Sequence, residues 1–196
     1  MKVEQMISAV QARLGVQVDG RAGPQTWGAI YEHIVGRTAH RIDAVDKRSE
    51  KSIATLLPEV RPIARALVHT AASTGIRIKI ISGLRTYAEQ DALFAKGRTR
   101  PGRRVTNARG GFSNHNFGIA FDIGVFEGSR YLPESPKYNA VGTLGVGLGL
   151  EWGGNWKSFV DAAHFQLRPA WALDMTERNM LARLRERVAS GTPLFA

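Results

Sequence analysis

With 196 residues, 43% of them hydrophobic and 22% charged, and with its 21 glycines and 8 prolines dispersed, the chain is globular and able to bury a core, which excludes collagen, coiled coil, disorder and two large domains. No cysteine occurs, so disulfides, zinc-cysteine fingers, iron–sulfur clusters and cysteine nucleophiles are excluded together, and any metal must sit on His, Asp or Glu. Lys and Arg number 27 against 17 Asp and Glu, a formal charge of +10 that attracts nucleic acid, anionic lipid or wall polymers without choosing among them.

The amino terminus, MKVEQMISAVQARLG, has no unbroken apolar run, and no stretch of about 18 apolar residues occurs anywhere. Neither a secretory signal nor a membrane span is read, and synthesis in the cytosol is expected. Val3, Met6, Ile7, Val10 and Leu14 fall on one stripe of a helix. Trp27, Ile30, Tyr31 and Ile34 repeat that period, with Pro24 at a tolerated first-turn position. The glycine-punctuated GVQVDGRAG lies between, giving a unit of residues 1–36 that is too small to fold without support from the rest of the chain. Residues 37–51 are polar and charged and are read as a linker, which leaves 52–196 as the main domain.

Within that domain Ile53–Leu57 and Val60–Ala72 read as helical, interrupted by Pro58 and Pro62 and stopped by Gly75. Ile76, Ile78, Ile80 and Ile81 predict a buried strand. Thr86–Ala95 is a helix ended by Gly97, and Arg98–Gly111, with five arginines and no apolar period, is a loop. Gly118–Phe126 alternates, placing Ile119, Phe121, Ile123 and Val125 on one face and Asp122 on the face of small residues. Ala163–Leu167 reads as a short strand. Thr176–Ala189 is a closing helix expected to dock through Leu181, Leu184 and Val188 while Arg178, Arg183, Arg185 and Arg187 face solvent. Strands and helices mix without βαβ alternation, so the class is α+β.

Two histidines stand apart from the other three. His115 precedes Asp122 by seven residues across a turn-forming NFG, and Asp161 precedes His164 by three. Two imidazoles and one carboxylate make a three-ligand zinc site with a fourth position for water, and Asp161 is then free to act as a base. On spacing alone, a His beside an Asp is more often a surface or core pair than a ligand. The neighbourhood shifts that balance: SxHxxGxAxD runs from Ser113 to Asp122, and a Trp-rich loop and DxxHFQ follow about 40 residues later.

SNHNFGIAFD, with SGLRTYAEQ upstream and LEWGGNW and DAAHFQ downstream, resembles the zinc D-alanyl-D-alanine carboxypeptidase and L-alanyl-D-glutamate endopeptidase family, many of whose members are phage endolysins, over residues 49–169. The resemblance implies a small antiparallel sheet flanked by helices (hedgehog/D-Ala-D-Ala peptidase-like). It implies Zn2+ held by His115, Asp122 and His164, Asp161 as general base, and Arg85 on the scissile peptide group. Ser113, Gln90 and Trp152 are expected at the substrate, with capping, local orientation and core packing as their alternatives; Trp156 joins Trp152 as a candidate cleft wall. The Asp of DxxH resembles the endopeptidase branch, which implies cleavage between L-Ala and D-Glu of peptidoglycan stem peptides. D-alanyl-D-alanine carboxypeptidase activity is the alternative, and a non-catalytic wall-binding protein is the alternative from another class. VQARLGVQVDGRAGPQTWGAI is similar to the core of a small peptidoglycan-binding domain, though shorter, and a helical pair that merely covers the catalytic domain is its alternative. The expected partners are bacterial peptidoglycan and, through the basic closing helix, anionic outer-membrane lipid. No specific nucleic acid and no second copy are expected. Without a signal peptide, the protein is expected to reach the wall, in the periplasm, after release from the host cytoplasm.

Overall fold

The computed structural model describes residues 2–31, 33 and 45–196. They divide into two compact units, one holding the N-terminal helices, the other built on Ala44–Ala72 and Ile76–Ala196.

In the first unit α1 (Val3–Leu14) is followed by α2 (Pro24–Tyr31). Gly15, at φ 70°, ends α1 in the left-handed conformation that glycine adopts without penalty. The apolar stripe read from the sequence is not the buried feature. Val3, Met6, Val10 and Trp27 are exposed, and the buried residue of α1 is Gln11. Its side-chain amide donates to Asp19 Oδ1 at 2.7 Å and Thr26 Oγ1 at 2.9 Å, and its oxygen accepts from the backbone N–H groups of Asp19 and Gly20. A unit with little apolar volume thus ties its VDG loop down with hydrogen bonds around one buried amide. Ile34 lies outside the described residues, as do positions 37–44 of the segment read as a linker.

The second unit starts earlier than expected. Asp46 caps α3 (Lys47–Ile53), its carboxylate accepting from the N–H groups of Arg48 and Ser49, so residues 47–51 are helix and not linker. Composition misled here because the buried faces of Ser49 and Ile53 are spaced too widely to show against the charges around them. In α4 (Arg61–Ser73), Ala64, Leu67, Val68 and Ala71 are buried. Pro62 sits in its first turn, where the missing N–H costs no helical bond. Thr86 and Glu89 form a capping box at the start of α5 (Tyr87–Ala95).

The sheet is antiparallel with order β1-β2-β5-β4, from β1 (Arg77–Ser82), β2 (Ala120–Glu127), β5 (His164–Gln166) and β4 (Glu151–Trp152), and β3 (Arg130–Leu132) also pairs with β2. Its inner face packs Ile78, Ile80, Phe121, Ile123, Val125 and Phe165 against the helices. The glycine-rich segment after Pro136 is α6 (Lys137–Gly147). A Cβ at Gly142 would lie 2.4 Å from the Trp152 ring, and one at Gly145 would lie 2.4 Å from the Phe165 ring. Glycine therefore lets α6 lie flat on β4 and β5, the strands that lead into the site.

The closing helix α7 (Glu177–Ser190) docks through Met180, Leu181 and Leu184, in a second small core with Phe117 and Ile119, while Val188 is exposed. Its arginines are not all directed to solvent, as had been expected. Arg185 donates to the Gly111 carbonyl and lies over the Phe112 ring, and Arg183 and Arg187 lie over Trp171. No described helix is long and apolar enough to cross a membrane.

Candidate active site

Three residues lie in one row across the sheet: Ser82 is the register partner of Asp122, and Asp122 is the partner of His164. Directly opposed residues in antiparallel strands project from the same face. A register shift between Ile80 and Ser82 turns Ser82 to that face in place of Ile81. His115 comes from a separate element, a single 3-10 turn (Asn114–Phe117) ended by Gly118 at φ 67°, which swings the chain into β2. His115 and His164 are 2% and 6% exposed.

His115 Nε2 lies 3.1 Å from Asp122 Oδ1 and 3.2 Å from His164 Nδ1, and His164 Nδ1 lies 3.3 Å from the same carboxylate oxygen. On their far sides both imidazoles meet acceptors. His115 Nδ1–H donates to the Gly83 carbonyl at 2.8 Å, and His164 Nε2–H donates to Gln166 Oε1 at 3.0 Å. Those partners fix the tautomers so that two ring lone pairs and a carboxylate oxygen face one centre. Three converging acceptors need a shared proton or a cation between them. A His–Asp–His set held in this way suits Zn2+, and the three ligand atoms lie within 4.8 Å of one another.

Electrostatics within the cluster are uneven. Burial pushes the His115 pKa down, against the pull of Asp122. Burial also opposes a charge on His164, but its bond and charge interaction with Asp122, and its bond to Gln166, outweigh that and raise it. Burial would raise Asp122 too, yet the two imidazoles hold its carboxyl well below the usual range. Of the two imidazoles, His164 is the one whose charged form the cluster favours, so metal affinity should fall as pH drops through its raised pKa and recover above it. Calorimetric zinc titrations in buffers of unlike ionisation enthalpy should show a proton released per zinc that is nearer one at about pH 6 than at about pH 8. Absence of release at the lower pH would contradict this assignment.

A cleft of about 990 Å³ opens over the cluster, lined among others by Arg85, Ser113, Trp152, Trp156, Lys157 and Asp161. Arg85 was expected on the scissile peptide, but its principal partner is Asp122: Nη2 donates to Asp122 Oδ2, and Nη2 and Nε donate to Ser82 Oγ at 2.9 and 3.1 Å. It thereby holds Asp122 with Oδ1 toward the imidazoles. Gln90, expected at the substrate, is not among the residues that line the cleft. Its side chain is fully buried, donating to Thr106 Oγ1 at 3.1 Å and the Ala108 carbonyl at 2.9 Å, so it anchors the arginine-rich loop. Ser113 lines the cleft, its N–H donating to Asn116 Oδ1. Trp152 is chiefly structural, donating through Nε1 to the Ala162 carbonyl at 2.9 Å and packing against the core. Trp156 is the closer wall, its ring centroid 4.9 Å from that of His164. Asp161 stands outside the His–Asp–His cluster, with Oδ1 accepting from the Ala163 N–H at 3.2 Å. Sequence reasoning missed Gln166, although period two places it on the face of His164.

A family profile described as D-alanyl-D-alanine carboxypeptidase matches residues 106–167. The chain is 38% identical over 124 residues to the peptidoglycan L-alanyl-D-glutamate endopeptidase CwlK of Bacillus subtilis (strain 168), covering 58% of this chain and 74% of that protein. It is 30% identical over 122 residues to the L-alanyl-D-glutamate peptidase of Listeria phage A118, covering 61% of this chain but only 40% of the phage protein. The fold is similar to that of the Serratia marcescens L-Ala D-Glu endopeptidase ChiX, with a TM-score of 0.51 and 23% identity over 66% of this chain and 94% of that one.

Proposed function

Because the chain belongs to the family of D-alanyl-D-alanine carboxypeptidases and L-alanyl-D-glutamate endopeptidases, we propose that it is a zinc peptidase that hydrolyses the L-Ala–D-Glu bond of peptidoglycan stem peptides. The observation that carries this reading is the convergence of His115 Nε2, Asp122 Oδ1 and His164 Nδ1 at the floor of an open cleft. These three residues would hold the zinc, which when bound supplies a Lewis acid for the scissile carbonyl and makes water acidic enough to attack near neutral pH.

The chain's own groups do the rest. Asp161 takes a proton from the attacking water and returns it to the leaving amine of D-Glu as the C–N bond breaks. Arg85 fixes the carboxylate of Asp122 and contributes positive potential to the cleft where negative charge develops on the carbonyl oxygen. Trp156 and Ser113, with Trp152, shape the wall beside the reacting bond. The first unit is assigned to wall contact, supported by the Gln11-tied VDG loop. On this reading the protein acts at the cell wall, as a monomer. Lipid contact by α7 draws less support, since three of its arginines lie over aromatic rings of the same chain.

Digestion of purified peptidoglycan should expose new D-Glu amino termini without release of free D-Ala, and a chelator should stop it. Mass analysis of the products checks this. Free D-Ala as the main product would establish the carboxypeptidase activity instead, and absence of any product would leave a wall-binding protein.

A further inference from the structure

Behind His164 a closed ring of polar side chains joins the metal-facing imidazole to the C-terminal helix. Gln166, 1% exposed, accepts from His164 Nε2–H through Oε1 and donates through Nε2 to Glu151 Oε2 at 2.6 Å. Asn114 Nδ2 donates to the same Gln166 oxygen and to Glu177 Oε1. Arg168 closes the ring, gripping Glu151 through Nε and Nη2 and reaching Glu177 Oε2 at 2.8 Å. Glu177 is the first residue of α7.

The orientation of the Gln166 amide decides what His164 can do. An amide can turn by half a revolution with almost no change of shape, so only its hydrogen-bond partners choose which end faces the imidazole. In the observed orientation the oxygen faces Nε2, the proton stays on Nε2, and the Nδ1 lone pair faces the cluster. Reversed, the amide would offer N–H to Nε2, forcing the proton of a neutral ring onto Nδ1, the atom that must be free to bind metal. Glu151 can only accept, and so holds the NH2 end on its own side. Asn114, itself held by Glu177, offers a donor to the oxygen end.

We propose that this ring positions His164 for metal binding: Glu151 and Glu177, neither of them a ligand, lock the Gln166 amide and through it the tautomer of His164, which makes the start of α7 part of the metal site. The inference rests on the reading of the cluster as a zinc centre. A ring that served only to glue α7 to the sheet would affect melting temperature and leave metal affinity and tautomer unmoved.

Glu151→Gln tests this, because the new side chain has nearly the same shape and can present its own NH2 group to Gln166. Competition with a chromophoric chelator should show the zinc Kd raised about 10- to 100-fold. Nitrogen-15 spectra of the metal-free protein at about pH 9, where imidazoles are neutral, should show His164 changing from a single Nε2–H form to a mixture. Glu177→Gln should move both readouts the same way by less, and it serves alone if Glu151→Gln does not fold. Glu186→Gln, exposed on the same helix, should change neither. Folded variants that bind zinc within about twofold of the parent and keep a single tautomer would overturn the proposal. A parent protein that bound no zinc at all would instead overturn the reading of the cluster on which the proposal stands.

Discussion

Replacing Asp161 with Asn is expected to leave zinc bound while lowering turnover by about 100- to 10,000-fold, the range over which a positioned general base contributes. The backbone around Asp161 is held firmly: its N–H donates to the Gly153 carbonyl at 3.1 Å, and its own carbonyl accepts from the His164 N–H at 3.2 Å. The side-chain Oδ1 accepts from the Ala163 N–H, a role an Asn carbonyl can keep, so the turn leading into β5 should survive the change. Among the described residues Oδ2 has no hydrogen-bond partner, which leaves it available to a proton donor in the cleft. The substitution thus removes proton-accepting capacity and little else. Steady-state kinetics on soluble stem-peptide fragments should show kcat falling with KM nearly unchanged, and elemental analysis should find parental zinc. Near-parental kcat would remove Asp161 from the mechanism, and loss of zinc would reassign it as a ligand.

Some of this site was legible in the sequence because strand periodicity is local. The alternation from Ile119 to Val125 placed Asp122 on the face opposite the core, and the structure shows those four residues fully buried. The blocks around His115 and His164 pointed to one metal cluster, and the three side chains do converge. Other features depended on partners far along the chain. Ser82, which accepts from Arg85, is paired with Asp122 through a register shift in β1, which residue types alone do not announce. Glycine has low helix propensity, yet in α6 Gly142 and Gly145 are required by the rings of Trp152 and Phe165. Strands β3 and β4, at three and two residues, are too short to carry a period. The link between Asn114 and Glu177 spans 63 positions, and only the folded chain brings them together.

Asp122→Asn should abolish zinc retention, and with it all hydrolysis, because this one side chain serves both imidazoles and Arg85. Its Oδ1 faces His115 and His164, and its Oδ2 accepts from Arg85. An Asn can satisfy only one side: with its oxygen toward Arg85, the NH2 group fills the centre and donates to the ring nitrogens; with its oxygen inward, two donors oppose each other at Arg85. Either way the only negative charge of the ligand set is gone. The loss also bears on folding. Asp122 and Arg85 side chains are 16% and 21% exposed, and breaking such a pair on one side should cost about 3 kcal/mol, near the low end for buried pairs because Arg85 keeps Ser82. The sign with pH follows from the depressed pKa of Asp122. A carboxyl held below its unfolded value stabilises the fold above that value and loses the contribution as pH falls through the folded pKa. Urea denaturation of the metal-free proteins should therefore separate parent and variant clearly at about pH 7 and bring their midpoints closer as the pH falls through the depressed pKa of Asp122. Parental zinc content in the variant would remove Asp122 from the ligand set, and coincident midpoints at neutral pH would show that Arg85 does not depend on it.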